Sequence, residues 1–221
     1  MSLTLSPLLT EMYGFIDNCV NYGADLVATH TEYRKCFVDI FETVMTSREL
    51  GAEDRVIACK LAEALLLRLR GQIDEVGTFH CTRSRSWSDI LYLQAIPPII
   101  ERCFFFVTSE EEDEDFTVTR GLLLHCVELV ITAMSYNPAL TLAILDRHDW
   151  TQTFFAIWFK NLAKFTRVHD KKIILWAICS LFEWLNGVGA GSPLSGNANQ
   201  LLLGALEVFR DLPRALGGKP E

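Results

Sequence analysis

The spacing of apolar residues, which repeats every three to four positions along most of the chain, is the feature that most restricts its fold. Four stretches show this spacing with charged residues mostly on the other side; they include Phe37/Phe41, Leu61/Leu65, Cys126/Val130 and Ile174/Ile178. A period near 3.6 residues is typical of amphipathic α-helices, whereas strands alternate with a period of two. Alternating runs joined by two-residue glycine turns do not occur in the sequence. The pattern therefore predicts an all-α protein.

Helix boundaries follow from prolines and capping residues. Asn137-Pro138 is typical of a helix start, and Asp149 followed by Gln152 resembles a capping box. Pro97-Pro98 predicts a kink or a division, because proline removes a donor and clashes with the preceding turn. The predicted helices are 6–22, 31–47, 52–70, 88–107, 116–135, 138–146, 149–166, 170–186 and 198–212.

The connections between these helices are mostly short, and helices recur in pairs over roughly 40–45 residues, the unit length of HEAT-type arrays. We therefore interpret residues 1–221 as a single segment, an α-solenoid of about four HEAT-type antiparallel helix pairs. Three connections are longer or biased in composition. They are predicted to be an acidic loop at 108–115 and flexible loops at 77–88 and 186–199.

The acidic loop carries six consecutive carboxylates between two apolar stretches. A calcium-binding loop needs alternating ligands and a glycine at its turn, and this run has neither. The simplest interpretation is a solvated loop, because closely spaced like charges repel. The other is an electrostatic contact for a basic partner. The residues of that candidate contact are Glu110, Glu111, Glu112, Asp113, Glu114 and Asp115.

Charge and cysteine usage limit the class of protein. A formal net charge of −8 and a pI near 5.2 argue against direct binding of nucleic acid, which needs a basic face. The seven cysteines are odd in number and lie singly in mostly apolar stretches, which indicates free thiols in a reducing compartment. No secretory signal or membrane-length apolar run is present in the sequence. We expect a soluble, intracellular protein without membrane contact.

Motifs of catalysis are missing from the sequence. It contains no phosphate-binding lysine loop, dinucleotide fingerprint or nucleophile elbow, and no metal-ligand spacing such as CxxC or HExxH. We therefore predict no cofactor, no metal and no enzymatic activity. One alternative is that His148/Asp149 and His169/Asp170 form two acid–base pairs in a shared cleft; the simpler interpretation is that each Asp caps or charges a helix start. The tryptophans are predicted to pack in the core, and an exposed one could anchor a partner.

Three blocks of the sequence resemble the karyopherin-β nuclear transport receptors, in particular the importin-seven/importin-eight branch. AEDRVIACKLAEALLLRLRGQIDE (52–75) resembles a helical segment of that branch that ends in Gly-x-Ile-Asp, and CVELVITAMSYNPALTLAIL (126–145) is similar to its helix-to-helix turn. FFAIWFKNLAKFTRVHDKKIILWAICSL (154–181) is similar to its paired helices joined by a His-Asp-basic-Lys turn. The matching positions are Lys60, Leu61, Glu63, Leu67, Gly71, Ile73, Asp74, Trp158, His169, Asp170, Lys171 and Lys172.

The resemblance covers roughly residues 10–185 and implies the C-terminal HEAT-repeat region of a longer receptor. It implies Ran-dependent import of protein cargo, particularly basic cargo such as ribosomal proteins and histones. It also implies contact with Ran-GTP and nucleoporins through the full-length receptor, pairing with another karyopherin in some cases, and shuttling between cytoplasm and nucleus. The stretch GTFHCTRSRSW and the acidic loop are longer than the family's usual connections, so family roles are not carried onto them.

Two other functions are compatible with the same residues. The first is a HEAT or armadillo scaffold with no role in transport, which would share only its helical packing with the transport receptors. The second is the all-α enzyme based on the two His–Asp pairs. Further repeats and a Ran-binding amino-terminal region upstream would distinguish a transport receptor from the scaffold.

Overall fold

A computed structural model describes residues 5–69, 96–108, 118–188, 194 and 197–217, and all regular structure in these ranges is helical. This confirms the all-α class. The helices are α1 (Leu5–Tyr22), α2 (Ala24–Thr29), α3 (Thr31–Thr46), α4 (Ala52–Arg68), α5 (Ile96–Thr108), α6 (Arg120–Tyr136), α7 (Pro138–Arg147), α8 (Thr151–Asn161), α9 (Val168–Val188) and α10 (Ala198–Gly217), with a 3₁₀ turn at Leu162–Lys164. None of the helices in these ranges has the length and apolar content needed to cross a membrane.

The observed helices lie within a few residues of the predicted ones, with one addition. The short helix α2 was not predicted, because its six residues are fewer than two turns and carry no clear period. Gly23 permits the close junction between α1 and α2. A Cβ atom on Gly23 would lie 2.7 Å from the carbonyl oxygen of Cys19, closer than real Cβ atoms come.

Some boundaries cannot be compared or differ slightly. The part of the predicted 88–107 helix before Ile96 and the predicted loop 77–88 lie outside the described residues, so the division at Pro97-Pro98 stays a prediction. Thr108 still belongs to α5, and α9 continues to Val188, so the loops after them begin later than predicted.

The chain divides into two compact units, Met1–Leu129 and Val130–Glu221. The interpretation of residues 1–221 as a single HEAT-repeat segment therefore stays a prediction.

In unit 1, α1 and α3 both pack against α4, α2 packs against α3, and α3 also contacts α5. The core side chains include Phe41, Met45, Leu65 and Leu66, all at most 3% exposed. Burial of such side chains provides most of the stability of short helices, which are marginal in isolation. Arg68 of α4 adds a polar link, since its Nε donates to Asn21 Oδ1 of α1 at 2.8 Å.

Polar contacts determine where α4 begins. The backbone N–H of Gly51 donates to Asp54 Oδ2 at 3.0 Å, which satisfies a donor that the helix itself leaves unpaired. One residue further on, Arg55 donates from Nη2 to the carbonyl oxygen of Ser47 at 2.8 Å. Asp54 and Arg55 therefore both bind the backbone of the turn that precedes α4.

In unit 2, α10 packs against α9, α9 packs against α7, and α8 contacts α7. An aromatic cluster on α8 lies in its core: the Phe155 and Trp158 ring centroids are 5.7 Å apart, and those of Phe154 and Trp158 are 5.9 Å apart. The predicted start of α7 is confirmed, because Asn137 Oδ1 accepts from the backbone N–H of Leu140 at 3.0 Å.

Candidate interaction surfaces

The six carboxylates Glu110, Glu111, Glu112, Asp113, Glu114 and Asp115 lie outside the described residues. The predicted contact with a basic partner therefore stays a prediction. Their neighbours are described: α5 ends at Thr108, and the chain is described again from Val118. Val107, the last apolar residue before the run, is buried.

The first His–Asp pair lies on an exposed turn between α7 and α8. The His148 ring stacks on the indole of Trp150, with 4.3 Å between ring centroids. Asp149 has a φ of 57°, in the left-handed region that Asp tolerates better than most residues. The capping box predicted at Asp149 is wrong: α8 begins at Thr151, and its hydroxyl donates to Asp146 Oδ1. A residue with positive φ cannot take the extended conformation of a helix cap.

The second pair stands at the start of α9. Asp170 is 4% exposed, and its Oδ1 lies 2.7 Å from Arg167 Nε, while its Oδ2 accepts from the Arg167 backbone N–H at 3.4 Å. A carboxylate in the first turn interacts favourably with the positive end of the helix dipole. The simpler interpretation, an Asp that charges a helix start, is therefore confirmed for Asp170. His148 and Asp170 therefore contact local partners, Trp150 and Arg167, and these contacts give the catalytic hypothesis no support.

Unit 1 has an apolar groove between α1 and α3, which both rest on α4. Two adjoining cavities of about 420 and 440 Å³ form it and share the side chains of Met12, Ile16, Cys36 and Ile40. Charged residues stand beside the groove; they are Glu32, Lys35 and Asp39. Phe15 of α1 also lines the groove and is 68% exposed to solvent.

Unit 2 exposes an apolar stripe on α10. The helix buries Leu201, Gly204 and Val208, whereas a different face exposes several large side chains by more than half of their surface. These exposed residues are Leu202, Leu206, Phe209 and Leu216, with Leu203 beside them. Their spacing of four, three and seven residues places the first four on one face of the helix. A second apolar face on one helix is typical of a surface that another element can cover.

Two tryptophans of similar sequence context have opposite environments. Trp158 of α8 is fully buried, as predicted for the core, whereas Trp176 of α9 is 56% exposed. His169, Lys172, Cys179 and Glu183 are exposed at helical spacing on the same side of α9. Exposed tryptophans are frequent anchors of protein interfaces, so Trp176 is the candidate anchor of unit 2.

Three buried cysteines come together in unit 1, which the sequence did not indicate. Cys59 of α4, Cys103 of α5 and Cys126 of α6 have their three Sγ atoms all within 4.8 Å of one another. The Sγ atoms of Cys59 and Cys126 are 3.9 Å apart, and all three side chains are at most 1% exposed. Sequence reasoning missed this thiol cluster because its members come from three helices, so no short spacing relates them.

The electrostatics of the thiol cluster favour protonated sulfur. The pKa values of all three thiols are raised well above the ordinary thiol range. Burial is the largest cause at Cys103, whereas contacts between the thiols come first at the other two: Cys103 lowers the pKa of Cys59 and raises that of Cys126, and burial raises both. The buried Arg55, one turn before Cys59, opposes this at Cys126, where its positive charge lowers the pKa. Its guanidinium carbon also lies 5.4 Å from the centroid of the Phe106 ring.

Comparison with known proteins finds similarity to several importins. The chain is 22% identical over 170 residues to a "Probable importin-7 homolog" of Dictyostelium discoideum, covering 75% of this chain and 14% of that protein. It is 24% identical over 181 residues to importin-8 of Danio rerio, covering 79% and 15%. An importin beta-like SAD2 homolog of Arabidopsis thaliana is 24% identical over 213 residues, covering 92% and 18%.

The chain thus spans between about one seventh and one fifth of the length of these relatives. No protein-family profile matches the chain, and no solved structure is significantly similar to it.

Proposed function

From its relationship to the importin-β-like, or karyopherin-β, nuclear transport receptors, we propose that this chain is a cargo-binding HEAT-repeat portion of such a receptor. The observation that carries the proposal is similarity to several importins over 75–92% of the chain. The relatives are transport receptors, and we propose no catalytic role for the two His–Asp pairs.

The exposed apolar surfaces support a place within a longer helical array. Stacked helical repeats bury apolar faces between neighbours, and each repeat contacts only the next. The α1–α3 groove of unit 1 and the α10 stripe of unit 2 are surfaces of the kind that such neighbours cover. We therefore propose that residues 1–221 form a segment of a longer receptor, in its C-terminal part.

For the cargo, we propose basic proteins such as histones or ribosomal proteins. The net charge of −8 supports this class, since a negative surface attracts and orients a basic partner. Within the chain, the proposed contact is the run Glu110–Asp115. Ran-GTP and nucleoporins would act through other repeats of the full-length receptor, which would shuttle between cytoplasm and nucleus and could pair with another karyopherin.

The test of cargo binding compares two variants of equal charge. In the first, the six carboxylates of the run 110–115 are changed to the corresponding amides, which shifts the formal net charge from −8 to −2. In the second, six exposed carboxylates elsewhere receive the same change; they are Glu11, Asp25, Glu49, Glu53, Asp149 and Glu183.

Binding to core histones is measured by calorimetry at physiological salt. The proposal expects at least tenfold weaker binding for the first variant and a smaller loss for the second. Equal losses would show that only the overall charge matters, and unchanged binding of the first variant would remove the acidic run from the account.

Transport itself is tested in the longer protein that contains this chain. Its fluorescent fusion should accumulate a basic cargo in nuclei of permeabilised cells when Ran and GTP are supplied. Release of that cargo should follow addition of Ran-GTP. A protein that binds partners but neither enters nuclei nor responds to Ran would instead be the scaffold alternative.

The exposed Trp176 offers a second contact to test. Changing Trp176 to Ala should leave the thermal midpoint within about 2 °C, because an exposed side chain contributes little to the core. A partner that uses Trp176 as an anchor should bind at least tenfold more weakly to this variant. Unchanged affinity for every partner recovered with the wild type would exclude Trp176 from the interface.

A further inference from the structure

The thiol cluster of Cys59, Cys103 and Cys126 has no role in the proposed transport function, and its geometry points to a site of its own. We propose that these three cysteines bind one soft monovalent metal ion, Cu(I), in the core of unit 1. Each helix contributes one sulfur: α4 contributes Cys59, α5 contributes Cys103 and α6 contributes Cys126.

The distances between the sulfurs suit a three-coordinate ion. Metal–sulfur bonds of about 2.3 Å in a trigonal plane place the sulfurs about 4 Å apart. The Sγ atoms of Cys59 and Cys126 are already 3.9 Å apart, and the whole set spans no more than 4.8 Å. Closing the set around an ion requires sulfur movements of less than 1 Å.

The kind of ligand selects the kind of ion. The cluster offers sulfur only, and soft thiolate ligands favour Cu(I) and Zn²⁺ over hard cations such as Mg²⁺ or Ca²⁺. Structural zinc sites are almost always tetrahedral and need a fourth ligand. The three side chains are at most 1% exposed, so solvent does not supply that ligand. Cu(I), which is stable with three sulfur ligands, fits the set as it stands.

Charge balance is consistent with a monovalent ion. Binding replaces two thiol protons, which leave to solvent, so that two thiolates and one neutral thiol surround Cu(I). The resulting group carries one negative charge. Arg55, 2% exposed and one turn before Cys59 on α4, carries one positive charge close enough to act on Cys126. A buried charge needs such a partner to avoid a large desolvation cost.

The test isolates the cluster from the other cysteines. In the 221-residue chain, Cys19, Cys36, Cys81 and Cys179 are changed to Ser, which leaves the three cluster cysteines. Cu(I) is titrated under anaerobic, reducing conditions against bicinchoninate, which forms a coloured complex with unbound Cu(I). We expect retention of one Cu(I) per chain and a thiolate-to-copper absorption band in the ultraviolet.

Single changes of Cys59, Cys103 or Cys126 to Ala in that background should weaken Cu(I) retention at least tenfold. The helical circular dichroism of the metal-free variants must match that of the background, so that lost binding is not lost folding. Zn²⁺ is titrated in parallel. Failure of the background protein to retain one Cu(I), retention of Zn²⁺ alone, or retention that survives loss of the cluster cysteines would each overturn the proposal.

Discussion

At the scale of single residues, the described cysteines range from exposed to fully buried. Six of the seven cysteines look alike in the sequence, each within or beside apolar residues, and only Cys81 has polar neighbours on both sides. In the structure, Cys36 and Cys179 are exposed, whereas Cys59, Cys103 and Cys126 lie in the core of unit 1. Thiol chemistry depends on the fraction of thiolate and on access, so these two groups should react very differently.

The buried thiols make stability depend on pH in the metal-free protein. Their pKa values are raised in the folded state above about 8.5, the unfolded value. Above that pH the unfolded chain loses protons that the folded chain keeps, so unfolding becomes easier. The contribution of these thiols to stability is therefore complete below about pH 8.5. Above that pH the free energy of unfolding falls by at most about 1.4 kcal/mol per pH unit for each thiol.

Urea unfolding between pH 7 and 10 with a chelator present measures this decline. A matched protein with Cys59, Cys103 and Cys126 changed to Ala should show a shallower dependence of stability on pH.

The reactivity of the thiols provides a separate test of their burial. A thiol reagent at pH 8 should modify Cys36 and Cys179 within minutes and the three buried thiols only after denaturation. Rapid reaction of Cys59, Cys103 or Cys126 in the folded protein would contradict the burial that the structure shows.

The cap of α7 is a second property of a single residue. Asn137 Oδ1 accepts from the Leu140 backbone N–H, so changing Asn137 to Ala leaves that donor without its partner. We expect a loss of about 1 kcal/mol in the free energy of unfolding. Asn18, exposed on α1, provides the control, and its change to Ala should alter stability by less than half as much. Equal effects at the two positions would show that the cap contributes nothing specific.

At the scale of helices, the contact between α8 and α10 depends on one small residue. Gly204 of α10 is buried, and a Cβ atom there would stand 3.0 Å from Phe159 Cε1 and 3.6 Å from a methyl carbon of Leu162. The absence of a side chain lets the two helices approach. The sequence places Gly204 within a predicted helix, where glycine costs about 1 kcal/mol relative to alanine. The sequence alone gives no reason for a glycine at this position.

A larger side chain at this position should separate the helices. Changing Gly204 to Leu is expected to lower the free energy of unfolding by about 1–3 kcal/mol, because overpacking forces neighbours out of their preferred positions. The control is Gly187 near the end of α9, where an added Cβ meets nothing within 4 Å. There the same change should be neutral or stabilising. Denaturant melts of both variants measure the difference, and a stable G204L protein would refute the close packing.

At the scale of the whole molecule, the excess of acidic residues governs long-range attraction. A net charge of −8 on 221 residues creates a negative field that is screened within about 8 Å at physiological salt. The association rate with a basic cargo should therefore fall at least tenfold between 50 and 300 mM NaCl, while the dissociation rate changes much less. Surface plasmon resonance with core histones separates the two rates. A dissociation rate that carries most of the salt effect would indicate contacts other than steering.

The periodic apolar pattern by itself determined the helical class and most helix positions, because a helix repeats over a few neighbouring residues and its caps are equally local. The resemblance to import receptors was also legible in three sequence blocks. Only the tertiary structure decided which faces are covered. Trp158 and Trp176 both sit at helical spacing, yet one is buried and the other exposed; Cys59, Cys103 and Cys126 meet although they lie on three helices. These outcomes depend on contacts between residues far apart in the chain, which no local pattern records.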